Sequence, residues 1–211
     1  HLVPDIYGST VDEKFTEMER RLSQLKPGES GLLALDWNNG NRTILVDARL
    51  TGLILGQTLQ TEAHEIYRAL IEATAFGALR IIERMEEHGI PIREVINTGG
   101  LAVKNATLMQ IYADILGRPL KVAASEQTCA LGAALFGAAS GGASLDEVQR
   151  NCCRIREGIY TPNPENHAVY RELYELYKTL HDAFGVAAWQ GTLAGLMKKL
   201  IAIRQSQRQA G

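Results

Sequence analysis

The sequence predicts an α/β fold, and three observations predict it. Short apolar runs alternate with longer segments of helical periodicity between residues 95 and 140. Glycine or proline marks most of the boundaries. The resulting strand–helix–strand–helix order implies parallel strands joined by right-handed crossovers. Apolar residues make up 45 % and charged residues 22 % of the 211-residue chain. That is ordinary globular usage, which excludes disorder for the chain as a whole. The length suits one large domain or one domain with an appended helical tail.

The first predicted helix covers 9–26, with Val11, Phe15, Met18, Leu22 and Leu25 at helical spacing and Pro27-Gly28 ending it. Gly31–Asp36 reads as a short buried strand, and the polar Trp37–Arg42 stretch, with its Asn39-Gly40 pair, reads as a loop. Thr61 is the expected cap of the next helix, with Glu62 and Glu65 favourable in its first turn. That helix is predicted to run to about His88. Its stripe of Ile66, Leu70, Thr74, Ile81 and Met85 is widened by Tyr67, Ile71, Ala75, Ala78 and Ile82, which predicts burial on more than one side. Gly89 and Pro91 stop it.

Val95–Thr98 then reads as a strand, Gly99-Gly100 as a turn and Asn105 as the cap of a helix that carries Leu108, Ile111, Tyr112, Ile115 and Leu116. Gly117 and Pro119 end that helix, and Leu120–Ala123 forms another strand. The helix over 127–140 is dense in small residues and is predicted to lie close against a sheet or another helix. Helical periodicity returns beyond Pro164. A last amphipathic segment, 189–210, is expected to dock through Leu193, Leu196, Met197, Leu200 and Ile201, with Lys198, Lys199, Arg204 and Arg208 on a solvated face. A membrane-surface helix is the lesser reading. The chain has few strands for its length, so part of a sheet is expected to lie outside it.

A net charge of −2 gives no reason to expect nucleic acid or an acidic membrane as partner. No run approaches the ~20 apolar residues of a membrane helix. The start, His1-Leu2-Val3-Pro4-Asp5, lacks both a secretory signal and an initiator Met, so further residues are expected upstream. Cys129, Cys152 and Cys153 form neither a CxxC pair nor an even disulfide framework. A reduced, cytoplasmic setting with structural cysteines is expected. The histidines show no metal-ligand spacing.

The stretch that carries chemistry is Ile96–Asn105. Two glycines at the carboxyl end of a strand let backbone pass close to a ligand and take positive φ. Clefts at such strand ends are where open α/β sheets bind ligands, and a following helix start favours phosphate. Lys104 can neutralise a phosphate or lie along a purine, and Asn105 can hydrogen-bond a base or ribose. A tight turn with Asn105 as a plain cap explains the same residues. Asp114 and Glu72 are expected to be structural, Arg42 to be a solvated loop residue, and Asp36 to be either a turn-former or a cleft residue.

Thr98-Gly99-Gly100 through Lys104-Asn105, followed by Gln110, Ala113-Asp114 and Gly117, resembles the adenosine motif of the FGGY carbohydrate kinases. Gly52–Gly56 with Glu65–Glu72 resembles that family's second signature, with Gln57 and Leu70 as departures. Ala130–Ala134, Tyr160-Thr161-Pro162 and Tyr170–Tyr174 resemble its later segments, so the likeness spans roughly 25–185. Leu35–Arg42 and Glu72–Gly77 are most similar to the ribulokinase branch, although Asn38 stands where a second Trp is expected.

The resemblance implies an actin-like, ribonuclease-H-like ATPase fold, the carboxyl-terminal half of a two-domain sugar kinase. Residues 1–160 would form the nucleotide-binding domain and 161–211 a helical extension. ATP with Mg²⁺ would bind here, at Gly99, Gly100, Lys104 and Asn105. The sugar, a ketopentose, would bind mainly to an amino-terminal domain, which would also hold the catalytic Asp. The chain would then be inactive alone, and a homodimer is allowed. A non-catalytic nucleotide-binding or assembly module, or a kinase for xylulose or glycerol, are the other readings.

Overall fold

The computed structural model describes residues 3–209. Helix α1 spans Val11–Leu22. Thr10 caps it by accepting from the Glu13 amide, and Glu13 Oε2 accepts from the Thr10 amide at 3.1 Å. Met18 and Leu22 are buried, whereas Val11 and Phe15 stay largely exposed. The predicted stripe is therefore used only in its carboxyl-terminal half.

Strands β1 (Leu33–Leu35) and β2 (Leu53–Leu55) pair antiparallel, with Leu33 opposite Leu55. All three β1 residues are buried, as the continuous apolar run predicts. Helix α2 spans Ala63–Glu87. Its cap is Glu62, not Thr61. The Glu62 amide donates to Glu65 Oε2 at 2.8 Å, while the Thr61 hydroxyl is turned back to accept from the Thr58 amide. Burial along α2 falls on more than one side and includes Glu65, Arg68 and Glu72 besides the apolar positions.

Strands β3 (Val95–Asn97) and β4 (Leu120–Val122) pair parallel, Val95 opposite Leu120, as the strand–helix–strand order requires. Two helices rather than one lie between them. Helix α3 is the single turn Gly100–Lys104 and α4 is Ala106–Leu116, broken at the extended Asn105. Gly99 alone makes the turn, and Gly100 already belongs to α3. Gly117, at φ 61°, ends α4 in the left-handed conformation that glycine takes without a steric penalty.

Helix α5 (Thr128–Ser140) departs from expectation. None of its residues is buried, Phe136 is 68 % exposed, and its principal contact is the short α6 (Leu145–Cys152). Its small-residue surface needs a sheet to lie on, and the described residues contain only two short pairs of strands. The three cysteines, on or beside these helices, are exposed and unpaired, so none serves as core.

Helix α7 (Pro164–Gly185) starts at Asn163, whose side chain accepts from the Glu165 amide at 2.8 Å. It enters the main core. Phe76 of α2 stacks on Tyr174 (centroids 5.8 Å apart) and packs against Tyr177 (5.3 Å) and Tyr170 (6.1 Å). Each such ring pair adds about 0.5–1.5 kcal/mol beyond area burial. Residues assigned to an extension thus share one hydrophobic cluster with β1 and α2. Helix α8 (Leu196–Gln209) buries Leu196 and Leu200 in that cluster and leaves Met197 and Ile201 exposed. Arg204 is not on a solvated face: its stem lies against Gly31.

Candidate functional site

The carboxyl end of β3 leads through Thr98 to Gly99, which sits at φ 94°, ψ 170°. Side chains with a Cβ avoid that conformation, so the chain needs glycine there. A Cβ added at Gly99 or at Gly100 would meet no atom within 4 Å. The pair is open, and it stands at the rim of a groove of about 640 Å³ floored by β3 and walled by α2 and α4. Thr98 and Leu101, on either side of the pair, line that groove; the glycines do not.

Lys104 ends α3 with its side chain 71 % exposed and its Nζ 3.6 Å from Glu126. An exposed pair of this kind is worth at most about 1 kcal/mol, so the ammonium is free to leave it for a phosphate. Asn105 is committed. It is 6 % exposed, its Oδ1 accepts from the Leu108 amide at 2.8 Å, and its Nδ2 donates to Glu19 Oε1 at 2.7 Å. Gly99, Gly100 and Lys104 are thus left open. Asn105 is instead the cap of α4 and a tie to α1.

Asp114 is buried, and its carboxylate accepts from the Asn163 amide, Gln110 Nε2 and Asn166 Nδ2, each at 2.8 Å. It joins α4 to the start of α7 and has no access to the rim. Glu72 is buried too. Its Oε1 accepts from Arg68 Nε and from the Tyr170 hydroxyl, both at 2.8 Å. Arg68 also donates to the Leu22 and Leu25 carbonyls, which closes the end of α1. Burial, with the Glu72 charge adding to it, holds the Tyr170 hydroxyl far above its ordinary range.

Asp36 has the other kind of environment. Burial raises its carboxyl above the usual aspartate value, and no cation pairs with it among the described residues. It lines a second cavity, of about 510 Å³, together with Arg42, Tyr177 and His181. Arg42 is exposed, as a loop residue should be. The Tyr112 hydroxyl donates to Thr74 Oγ1 at 2.8 Å, and these two residues line both cavities and so mark their border. No periodicity signalled Tyr177 or His181; only the packing of α7 beside the Trp37 loop brings them there. Among the described residues, no group of three or more His, Cys, Asp or Glu side chains is placed to hold a metal ion. No helix is long and apolar enough to cross a membrane.

Comparison with known proteins agrees with this architecture. The family model "FGGY family of carbohydrate kinases, C-terminal domain" matches residues 8–141. The chain is 48 % identical over 196 residues to a ribulokinase of Halalkalibacterium halodurans, covering 90 % of the chain and 34 % of that protein. It is 53 % identical over 174 residues to a ribulokinase of Anoxybacillus flavithermus, covering 80 % and 31 %. The chain thus spans about a third of the length of these relatives.

Among solved structures, the xylulose kinase from Rhodospirillum rubrum superposes with a TM-score of 0.70 at 24 % identity, covering 85 % of the chain and 36 % of the kinase. Plasmodium falciparum glycerol kinase with ADP gives 0.62 at 22 % identity, covering 82 % and 34 %. At such identity the likeness shows the fold alone, an α/β, actin-like domain. On the match across most of its length, this chain belongs to the FGGY family of carbohydrate kinases.

Proposed function

We propose that the chain supplies the ATP-binding half of a cytoplasmic ribulokinase, which moves the γ-phosphoryl group of Mg-ATP to L-ribulose to give L-ribulose 5-phosphate in arabinose catabolism. The observation that carries the reading is the open glycine pair at the carboxyl end of β3. Backbone without a Cβ lets a nucleotide approach closely, and Lys104 offers a mobile positive charge beside it. Asn105 acts by holding the turn in place. Phosphoryl transfer demands mostly positioning and charge stabilisation, plus one base for the sugar hydroxyl. That base, and most contacts to the sugar, would come from the amino-terminal domain of the whole kinase.

Mg²⁺ fits this division of labour. The chain lacks a cage of acidic side chains among its described residues, and Mg²⁺ in kinases rides largely on nucleotide phosphates and water. L-Ribulose is favoured over xylulose or glycerol by the 48–53 % identity to proteins named ribulokinase. The test has two parts. Calorimetry on the isolated chain is expected to show weak ADP binding and no sugar-dependent ATP turnover. The complete kinase, given a panel of L-ribulose, D-xylulose and glycerol, is expected to turn over L-ribulose fastest. Robust turnover by the isolated chain would contradict the division of labour, and a preference for glycerol would contradict the substrate.

A further inference from the structure

Helix α2 carries a glycine at its middle that packing does not demand. A Cβ added at Gly77 would meet Asp36 Oδ1 at 3.5 Å, Asp36 Oδ2 at 3.6 Å and the Tyr177 hydroxyl at 3.6 Å, all ordinary contact distances. Alanine would fit there and is the better helix former. Glycine instead leaves open the part of the 510 Å³ cavity on which the Asp36 carboxyl and the Tyr177 hydroxyl converge. The volume lies in the ~300–1,000 Å³ range of small-molecule sites.

Two residues of the same lining hold unpaired nitrogens. Among the described residues three buried side-chain nitrogens find no hydrogen-bond partner, and Trp37 Nε1 and His181 Nε2 are two of them. Both residues line the cavity, with 3 % and 2 % of their surface exposed. Buried polar groups cost stability unless a partner satisfies them. The two rings meet edge-on, their centroids 5.4 Å apart. The Tyr177 hydroxyl lies near the indole without forming a hydrogen bond to it. His181 Nδ1 is already paired with Asp182 Oδ1 at 2.9 Å, so in the neutral ring Nδ1 carries the proton and Nε2 is an acceptor.

The set of groups is therefore mixed. Trp37 Nε1 donates, His181 Nε2 and an ionised Asp36 accept, and the Tyr177 hydroxyl does either. A phosphate or carboxylate only accepts, so it would face Asp36 and His181 Nε2 as fellow acceptors. An ammonium only donates, and it would meet Arg42 and Arg80 in the same lining. A hydroxyl donates and accepts, and hydroxyls on neighbouring carbons serve several such groups at once. The C–H faces between them suit the aromatic rings of Trp37, Tyr112 and Tyr177. We propose that this cavity binds a small neutral polyol, an open-chain or ring sugar, through Asp36, Trp37, Tyr177 and His181. The site uses none of Gly99, Gly100 and Lys104, so it does not rest on the nucleotide reading.

The test reads the Trp37 indole by nuclear magnetic resonance. The chain has two tryptophans, Trp37 and Trp189, so tryptophan labelling gives two indole signals, told apart by Trp189→Phe. The chain is titrated with ribitol, D-ribose and inorganic phosphate. Ribitol and D-ribose are expected to move the Trp37 indole proton downfield, as a new hydrogen bond does, and to saturate, whereas phosphate leaves it in place. Gly77→Ala is expected to keep or raise the melting temperature and to weaken both polyols about tenfold or more, because the methyl takes their space. A folded chain without a saturable shift overturns the proposal. So does an undiminished response in Gly77→Ala, or a response to phosphate alone, which would make this an anion site. Should the isolated chain give no dispersed signals, the complete kinase replaces it. Ribitol is then expected to slow hydrogen–deuterium exchange over residues 36–42 in the parent and not in Gly77→Ala, and equal exchange in the two overturns the proposal. No readout uses ATP or sugar turnover, so failure of the ribulokinase reading would leave this result standing.

Discussion

Asn105 donates from Nδ2 to Glu19 Oε1 at 2.7 Å while its Oδ1 caps α4 at the Leu108 amide. One amide therefore fixes both the start of α4 and its position against α1. Asn105→Ala loses the cap and orphans the carboxylate, which costs ~1–2 kcal/mol. For a chain of this size the melting temperature falls by about 2–8 °C. Asn105→Asp keeps an acceptor for the cap but sets two carboxylates together. Its deficit should shrink as pH falls through the carboxylate range. A pH series of thermal melts on both variants checks this.

Arg68, Glu72 and Tyr170 form one buried network, with Arg68 also closing the end of α1. Removing one charge leaves the other buried and uncompensated, at ~3–5 kcal/mol. Glu72→Ala and Arg68→Ala are each expected to lower the melting temperature by roughly 10 °C or to prevent folding. Tyr170→Phe removes one hydroxyl from a surviving ion pair and costs less, ~1–2 kcal/mol. Equal losses for all three would show that the Tyr170 hydroxyl matters to the network as much as either charge.

The contrast between these two sites shows what the sequence could reveal. Helical spacing placed α2, α4 and α7, and the apolar run Leu32–Leu35 placed β1, because burial repeats with the period of the backbone. The parallel pairing of β3 and β4 followed from order alone. Long-range polar contacts have no such period. Nothing near Asn105 names Glu19, 86 positions away, as its partner. The exposure of α5 was illegible for another reason: Ala130, Gly132 and Ala134 promise close packing, but among the described residues none of α5 is buried. The Gly99-Gly100 pair was legible because positive φ restricts residue type at one position.

Asp36 carries a pH signature. Burial raises its folded-state carboxyl above the unfolded value. A group raised in this way favours the folded state while protonated and loses that contribution as pH rises through its folded value. At neutral pH its charge therefore opposes folding. Asp36→Asn, which keeps the shape without the charge, is expected to raise the melting temperature at pH 7. The gain should vanish well below pH 4, where the native side chain is protonated. Urea unfolding at both pH values measures it. A gain independent of pH would assign the effect to something other than the charge.

The glycine pair separates stability from binding. Gly99 sits at φ 94°, ψ 170°, a region closed to residues with a Cβ, so Gly99→Ala costs ~1–3 kcal/mol whether or not a nucleotide binds nearby. Gly100 opens α3 without a positive φ, and an added methyl meets no atom within 4 Å. Gly100→Ala is therefore neutral or stabilising by up to ~1 kcal/mol. If nucleotide backbone or ring passes over the pair, that methyl must still obstruct it. The expected pattern is a Gly100→Ala variant of undiminished melting temperature whose affinity for ADP, measured in the complete kinase, falls about tenfold or more. Lys104→Ala should lower ADP affinity less, and the loss should fade at high salt, because an exposed charge is screened. Unchanged ADP affinity in Gly100→Ala would remove the pair from the nucleotide site while leaving the fold as described.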